Sequence, residues 1–172
     1  MIGSLVEVKL MIIYHGSNVE VSEPELIPQN RFLDFGFGFY TTTNKMQAIG
    51  FAEKVYRRKQ SGGKIVNIYE FDENAFSECS VLKFENPDEA WLDFVSDNRS
   101  GSYDGKRYDL IYGPVADDDV YTTFALYTAG VLTKDQTLEA LKIKKLYNQL
   151  VFSTEKALKY IEFKGTLNEG EL

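Results

Sequence analysis

The chain has 172 residues, with 26 Asp and Glu against 19 Lys and Arg, giving a net charge of −7. Hydrophobic residues at 44% and aromatics at 14% supply a sizeable core and exclude a disordered chain, while the acidic surplus argues against tight non-specific nucleic-acid binding. The one cysteine, Cys79, excludes an internal disulfide, and beside the lone histidine it offers no zinc-ligand spacing.

The first ten residues carry Glu7 and Lys9 and lack the apolar core of a secretory signal, and no apolar stretch reaches membrane-spanning length. A cytoplasmic protein without membrane partners is therefore expected. Residues 10–15 read as a short apolar strand running into "YHGSN" at 14–18. Residues 19–34, with Pro24 and Pro28, read as loop, and "DFGFGFYTTT" at 34–43 as a glycine-punctuated loop entering a second strand. Thr43 or Asn44 caps a helix from about 45 to 60 with an apolar stripe of Met46, Ile49, Ala52 and Tyr56. Arg57-Arg58-Lys59 complements the dipole at its end, and "SGG" at 61–63 stops it. "KIVNIYEF" at 64–71 is a strand, and a helix starts at Pro87 with Asn86 as its cap. "YDLIYGPV" at 108–115 reads as a buried strand, followed by helices near 119–129 and 134–145. "NQLVFS" at 148–153 and "KYIEFK" at 159–164 are short strands around a turn, before a frayed tail, "GTLNEGEL". Strands scattered among helices without a βαβ rhythm predict an α+β fold with a mixed or mostly antiparallel sheet. A single domain is expected, with its core at about 11–165 and with 1–10 and 166–172 peripheral.

Taken singly, His15 beside an apolar run reads as a core or capping histidine. Taken in order, "YHGSN", "FGFGFYTT" and "LYNQLVFSTEKALKYI" resemble the ADP-ribosyltransferase fold of the diphtheria toxin and poly(ADP-ribose) polymerase branch. "GFYTTTNKMQAIGFA" is similar to the toxin's strand and helix, and "LYNQLVF" to the polymerase strand that carries the third key residue. Over most of residues 12–163, with "YDLIYGPVADD" included, the chain resembles a family of small bacterial proteins catalogued as domain of unknown function 3990. The resemblance implies an α+β fold with a split sheet, flanking helices and NAD bound between strands.

The same resemblance assigns roles. His15 matches the histidine that bonds a ribose hydroxyl, a task suited to a neutral imidazole. Gly16 matches the residue whose backbone meets the nicotinamide carboxamide, with Ser17 supporting that end of the ligand. Tyr40 matches the tyrosine stacked on nicotinamide, Phe51 the second aromatic wall, and Gly38 joins the NAD-contacting set. Two rings around a pyridinium contribute on the order of 1 kcal/mol or more when desolvated.

Gln149 stands where the best-known transferases carry glutamate, and completes a catalytic set with His15 and Tyr40. A glutamine carbonyl still accepts a ribose hydroxyl but brings no charge to an oxocarbenium-like state, a loss of roughly 2–4 kcal/mol. "ADDD" at 116–119 reads as a helix N-terminus capped by Asp118 or Asp119, or as placing Asp117 or a neighbour near an acceptor. Arg31, in the loop between the motif strands, is a candidate phosphate contact. The expectation is an NAD-dependent mono-ADP-ribosyltransferase that uses NAD as co-substrate and no metal, with an unidentified protein or nucleic-acid acceptor. A toxin or phage-defence effector paired with an antitoxin protein fits that expectation. The alternatives are an NAD glycohydrolase and a non-catalytic NAD or ADP-ribose binding module.

Overall fold

The first apolar run continues past position 15, so that β1 spans Leu10–Ser17 and carries His15, Gly16 and Ser17 within the strand. The computed structural model describes residues 8–28, 32–115, 118–142 and 146–172. After β1 come β2 (Phe39–Thr42), α1 (Lys45–Lys59), β3 (Ile65–Asp72), α2 (Ala75–Glu78), β4 (Val81–Lys83) and α3 (Glu89–Ser100). β5 (Leu110–Val115), α4 (Asp118–Thr128), α5 (Lys134–Lys142), β6 (Tyr147–Phe152), α6 (Glu155–Leu158) and β7 (Ile161–Leu167) complete the order, with a 3-10 turn at Glu169–Glu171.

The strands form a 7-stranded sheet, β4-β5-β6-β2-β1-β3-β7, in which only β4 and β5 run parallel. The fold is thus α+β with a mostly antiparallel sheet. β1 pairs with β3 over its whole length but meets β2 at the single position Tyr14–Thr42. Beyond that pair β1 and β2 have no registered partner positions, and this parting of the ladder, within one continuous sheet, lies beside His15 and Tyr40.

Both faces are covered, which is why β6 reads "LVF" without polar alternation. On one face Ile111 and Val151 pack under Trp91, Leu92, Phe124 and Leu141 from α3, α4 and α5. On that same face α1 lays Ala48 and Ala52 against Tyr14 and Val66. The other face gathers Ile13, Phe39, Tyr69, Phe71, Leu150 and Phe152 with Ala75 and Ala157 from the short helices α2 and α6. The Trp91 indole donates to Pro114 O at 2.9 Å and so ties α3 to β5 without leaving its N–H unpaired.

Several sequence expectations are corrected. Asn44 caps α1 as one of the two candidates, accepting from the Gln47 amide, but Gln60 at φ 52° ends the helix before "SGG". The buried stripe is Ala48, Ala52 and Val55, whereas Met46 and Tyr56 are exposed, because the helix presses too closely on β1 for large side chains. Asp88, not Asn86, caps α3 and accepts from Trp91 N, so Pro87 precedes the helix. β6 and β7 are not paired: α6 lies between them in sequence, and β7 forms an edge of the sheet beside β3. The tail is ordered into β7 through Leu167. The brief elements α2 and β4 escaped the pattern because neither is long enough to show a period. Among the described residues no helix is long and apolar enough to cross a membrane.

Candidate functional site

The three residues expected to act together lie on three neighbouring strands, β6, β2 and β1. Gln149 is in register with Thr42, and Thr42 with Tyr14, so one line crosses the centre of the sheet at this level. Strand alternation then sorts the side chains. Tyr40, Thr42 and Gln149 share the face that α1 covers. His15 shares the opposite face with Ile13, and its ring lies 4.5 Å from that of Phe39. The His15 ring and the other two side chains therefore reach a common ligand only through the parting between β1 and β2.

His15 closes part of that gap itself. Its Nδ1 lies 2.7 Å from the Tyr40 carbonyl oxygen. A carbonyl only accepts, so Nδ1 carries the proton and Nε2 presents a lone pair. Burial holds the imidazole below its ordinary pKa of 6.5, opposed only by this backbone hydrogen bond, so the ring is neutral near pH 7. Nε2 therefore accepts hydrogen bonds and does not donate them.

Tyr40 is more deeply built in than a simple stacking platform. Its hydroxyl donates to Gly36 O at 2.6 Å and accepts from Phe35 N at 3.1 Å, so it fastens the loop before β2. Burial raises its pKa, and the hydroxyl stays protonated. Its ring packs partly into the core under α3–α5. Phe51 is 45% exposed on α1, on a helix whose neighbouring Ala48 and Ala52 are buried. Its ring is therefore available to a ligand.

The glycines have steric reasons of their own. A Cβ at position 16 would lie 2.2 Å from Ala48 O and 2.6 Å from Ala52 N, both backbone atoms of α1. Gly16→Ala is expected to cost about 1–3 kcal/mol by prising α1 from the sheet, read as a lower urea midpoint. An unchanged midpoint would contradict this packing account. At Gly38 a Cβ would meet Val151 Cγ1 at 2.6 Å and Phe152 O at 2.7 Å, so glycine lets the loop close onto β6. Ser17 is buried, and its Oγ accepts from Val19 N at 3.4 Å, which leaves the hydroxyl proton free.

Gln149 is only 5% exposed, and its Nε2 is buried without a hydrogen-bond partner among the described residues. An unpaired buried amide costs about 1–3 kcal/mol and calls for an explanation. Next to it the Thr42 hydroxyl donates to Gln47 Oε1 at 2.5 Å and receives Asn44 N at 3.0 Å. Gln149, Thr42 and Gln47 thus line β6, β2 and the start of α1 with polar groups of no formal charge. A carboxylate at 149 would therefore be buried rather than hydrated.

Two positioning groups were missed in the sequence. Gln47 accepts from the Thr42 hydroxyl at 2.5 Å. Asn67, fully buried in β3, accepts from Val21 N at 2.7 Å and donates to Val19 O at 3.2 Å and His15 O at 3.4 Å. It anchors the chain leaving the histidine, helped by the Tyr69 hydroxyl on Val21 O at 2.6 Å. The visible signal was an asparagine at an inward position of "KIVNIYEF". Arg31, Asp117 and the side chains of Asp118 and Asp119 lie outside the described residues. Among those described, no group of three His, Cys, Asp or Glu side chains is arranged to hold a metal ion. A cavity of about 550 Å³ is bordered by Gly38 but by none of His15, Tyr40, Phe51 or Gln149.

The class that the structure defines is α+β with a mostly antiparallel seven-stranded sheet. The chain belongs to the family described as protein of unknown function (DUF3990), whose profile matches residues 11–163. Comparison with curated proteins and with solved structures gave no match.

Proposed function

We propose that this chain binds NAD across the parting between β1 and β2 and transfers ADP-ribose to an acceptor. The observation that carries the reading is Gln149: a buried amide without a protein partner, in register with Thr42, on the central strands that also bear His15 and Tyr40. In this reading the nicotinamide end lies on the α1 face between Tyr40 and Phe51, with the Gly16 backbone beside it. His15 Nε2 accepts a ribose hydroxyl from the other side, and the Gln149 amide holds the ribose next to the bond that breaks. The neutral amide favours slow, single transfers. It also leaves a second reading open to test, an NAD-binding module that has lost turnover.

NAD at about 100 times its Kd is expected to stabilise the fold by about 2.7 kcal/mol, seen as a raised melting temperature. Tyr40→Ala is a poor probe, because the side chain holds core and loop together. Phe51→Ala removes an exposed ring and should shrink the NAD shift without lowering the ligand-free melting temperature. His15→Asn keeps a donor near the Tyr40 carbonyl but loses the Nε2 acceptor. Its affinity for NAD should fall about tenfold, the worth of one hydrogen bond. Because burial lowers the His15 pKa, wild-type affinity should stay level as pH falls through 6.5 and decline only below it. No melting shift with NAD, or a shift undiminished from wild type in both variants, would overturn the site.

A further inference from the structure

The 550 Å³ cavity lies between the loop at 32–38, the α3–β5 connection at 101–108 and the residues that follow β6. Ser153 borders it, four positions along from Gln149, or about 13 Å at strand rise. Its size is that of a small-molecule site. Three features of its lining are unused by the fold.

The first is a pair of rings. Phe32 and Phe37 are 69% and 46% exposed, and neither packs against another ring among the described residues, although Phe35, Phe94 and Tyr103 beside them form an edge-to-face cluster. Phe32 rests its ring tip on the backbone of Gly101, whose φ of +72° and missing Cβ make room for it.

The second is charge. Lys106 and Arg107 border the cavity together in a chain of net charge −7. Arg107 has no ion pair or hydrogen bond among the described residues, and the Lys106 ammonium has only the Tyr108 ring, at 5.0 Å. Asp104 also borders the cavity, so the local balance is one positive charge. The third is the Ser153 hydroxyl, whose oxygen is buried without a hydrogen-bond partner among the described residues.

We infer that this cavity is a second ligand site, which takes one nucleoside phosphate with its base against Phe32 and Phe37 and its phosphate at Lys106 and Arg107. Flat apolar rings suit a base, and a free guanidinium suits a phosphate. The Ser153 hydroxyl offers the base or sugar a hydrogen-bonding partner. A single nucleotide is favoured over a strand, since a strand needs a basic track that this acidic chain lacks here. The inference does not rest on NAD binding at the parted sheet.

Calorimetric titration of the whole chain with AMP, UMP, adenosine and inorganic phosphate tests it. Both monophosphates should bind saturably, adenosine about tenfold more weakly, and phosphate alone still less. The double variant Lys106→Ala/Arg107→Ala should weaken AMP about tenfold and leave adenosine unchanged, while Phe37→Ala weakens both. These side chains are exposed, so the variants should fold, which their melting temperatures verify. Phe51→Ala and Gln149→Ala should leave AMP binding intact. Failure of NAD to bind at all would sink the proposed function and leave this inference standing. Absence of saturable binding by either monophosphate overturns it, as does loss of AMP affinity in Phe51→Ala alone.

Discussion

Gln149→Glu is expected to raise the rate of nicotinamide release from NAD by roughly 10- to 100-fold, and Gln149→Ala to lower kcat strongly while NAD affinity stays within a few-fold. The two side chains have nearly the same shape, so the substitution changes charge and little else. Negative charge next to the ribose stabilises the positive charge that builds as the glycosidic bond breaks. The ground state gains less, because stacking supplies much of the binding. The burial of Gln149 adds a condition. A carboxyl at that position is desolvated and its pKa is raised, so the gain should appear as pH climbs and its carboxylate forms. The Glu variant should also be less stable at high pH than at low, since a raised carboxyl pKa favours the folded state only while the proton is kept. Release of labelled nicotinamide, measured from about pH 5 to pH 8, reads the rate. Wild-type cleavage that is indifferent to Gln149→Ala would show that another residue holds the ribose. Undetectable wild-type cleavage with measurable cleavage by the Glu variant would identify a binding module that lacks only charge.

What the chain declared in advance, and what it hid, follows from the range of the interactions. Strands and helices with a long clear period, such as β3 and α1, were legible because the signal is local. The position of β7 was not: "KYIEFK" looks like the return strand of a hairpin, and its partner is chosen by contacts with β3. The apolar stripe of α1 was misread for a similar reason. Met46 and Tyr56 are the larger side chains, but the close approach of Gly16 to the helix backbone selects alanines for the interface.

At the site, the identities of His15, Tyr40 and Gln149 could be read, and the topology puts them on adjacent strands. Their surroundings could not. The partner of His15 is a backbone carbonyl, which has no residue type to recognise. Gln149 lies between β2 and β5, strands distant in sequence. Asn67 was the one hidden group with a local trace, since a polar residue at an inward strand position must find partners.

The other large effect is expected at the ion pair that pins the loop before β2 to α3. Asp34 is 6% exposed, and Arg99 Nε donates to its Oδ1. The Arg99 guanidinium carbon also lies 4.2 Å from the ring centre of Tyr121 and 4.7 Å from that of Phe124. Arg99→Ala leaves a buried carboxylate without its partner and should cost about 3–5 kcal/mol. Asp34→Asn keeps the shape and removes the charge, so Asp34→Asn/Arg99→Ala should recover part of that loss. The pH dependence separates charge from packing. Burial raises the Asp34 pKa above 3.8, with Arg99 acting in the opposite direction. Without Arg99 the value climbs further. A carboxyl raised in the folded state contributes stability that is complete below 3.8 and lost as pH rises through the raised value. The Arg99→Ala deficit should therefore be largest near pH 8 and shrink toward about pH 5, while the double variant stays level. Urea unfolding at both pH values measures it. Equal deficits at the two would mean that Arg99 acts through its stacking on Tyr121 and Phe124, with Asp34 already neutral in the folded protein.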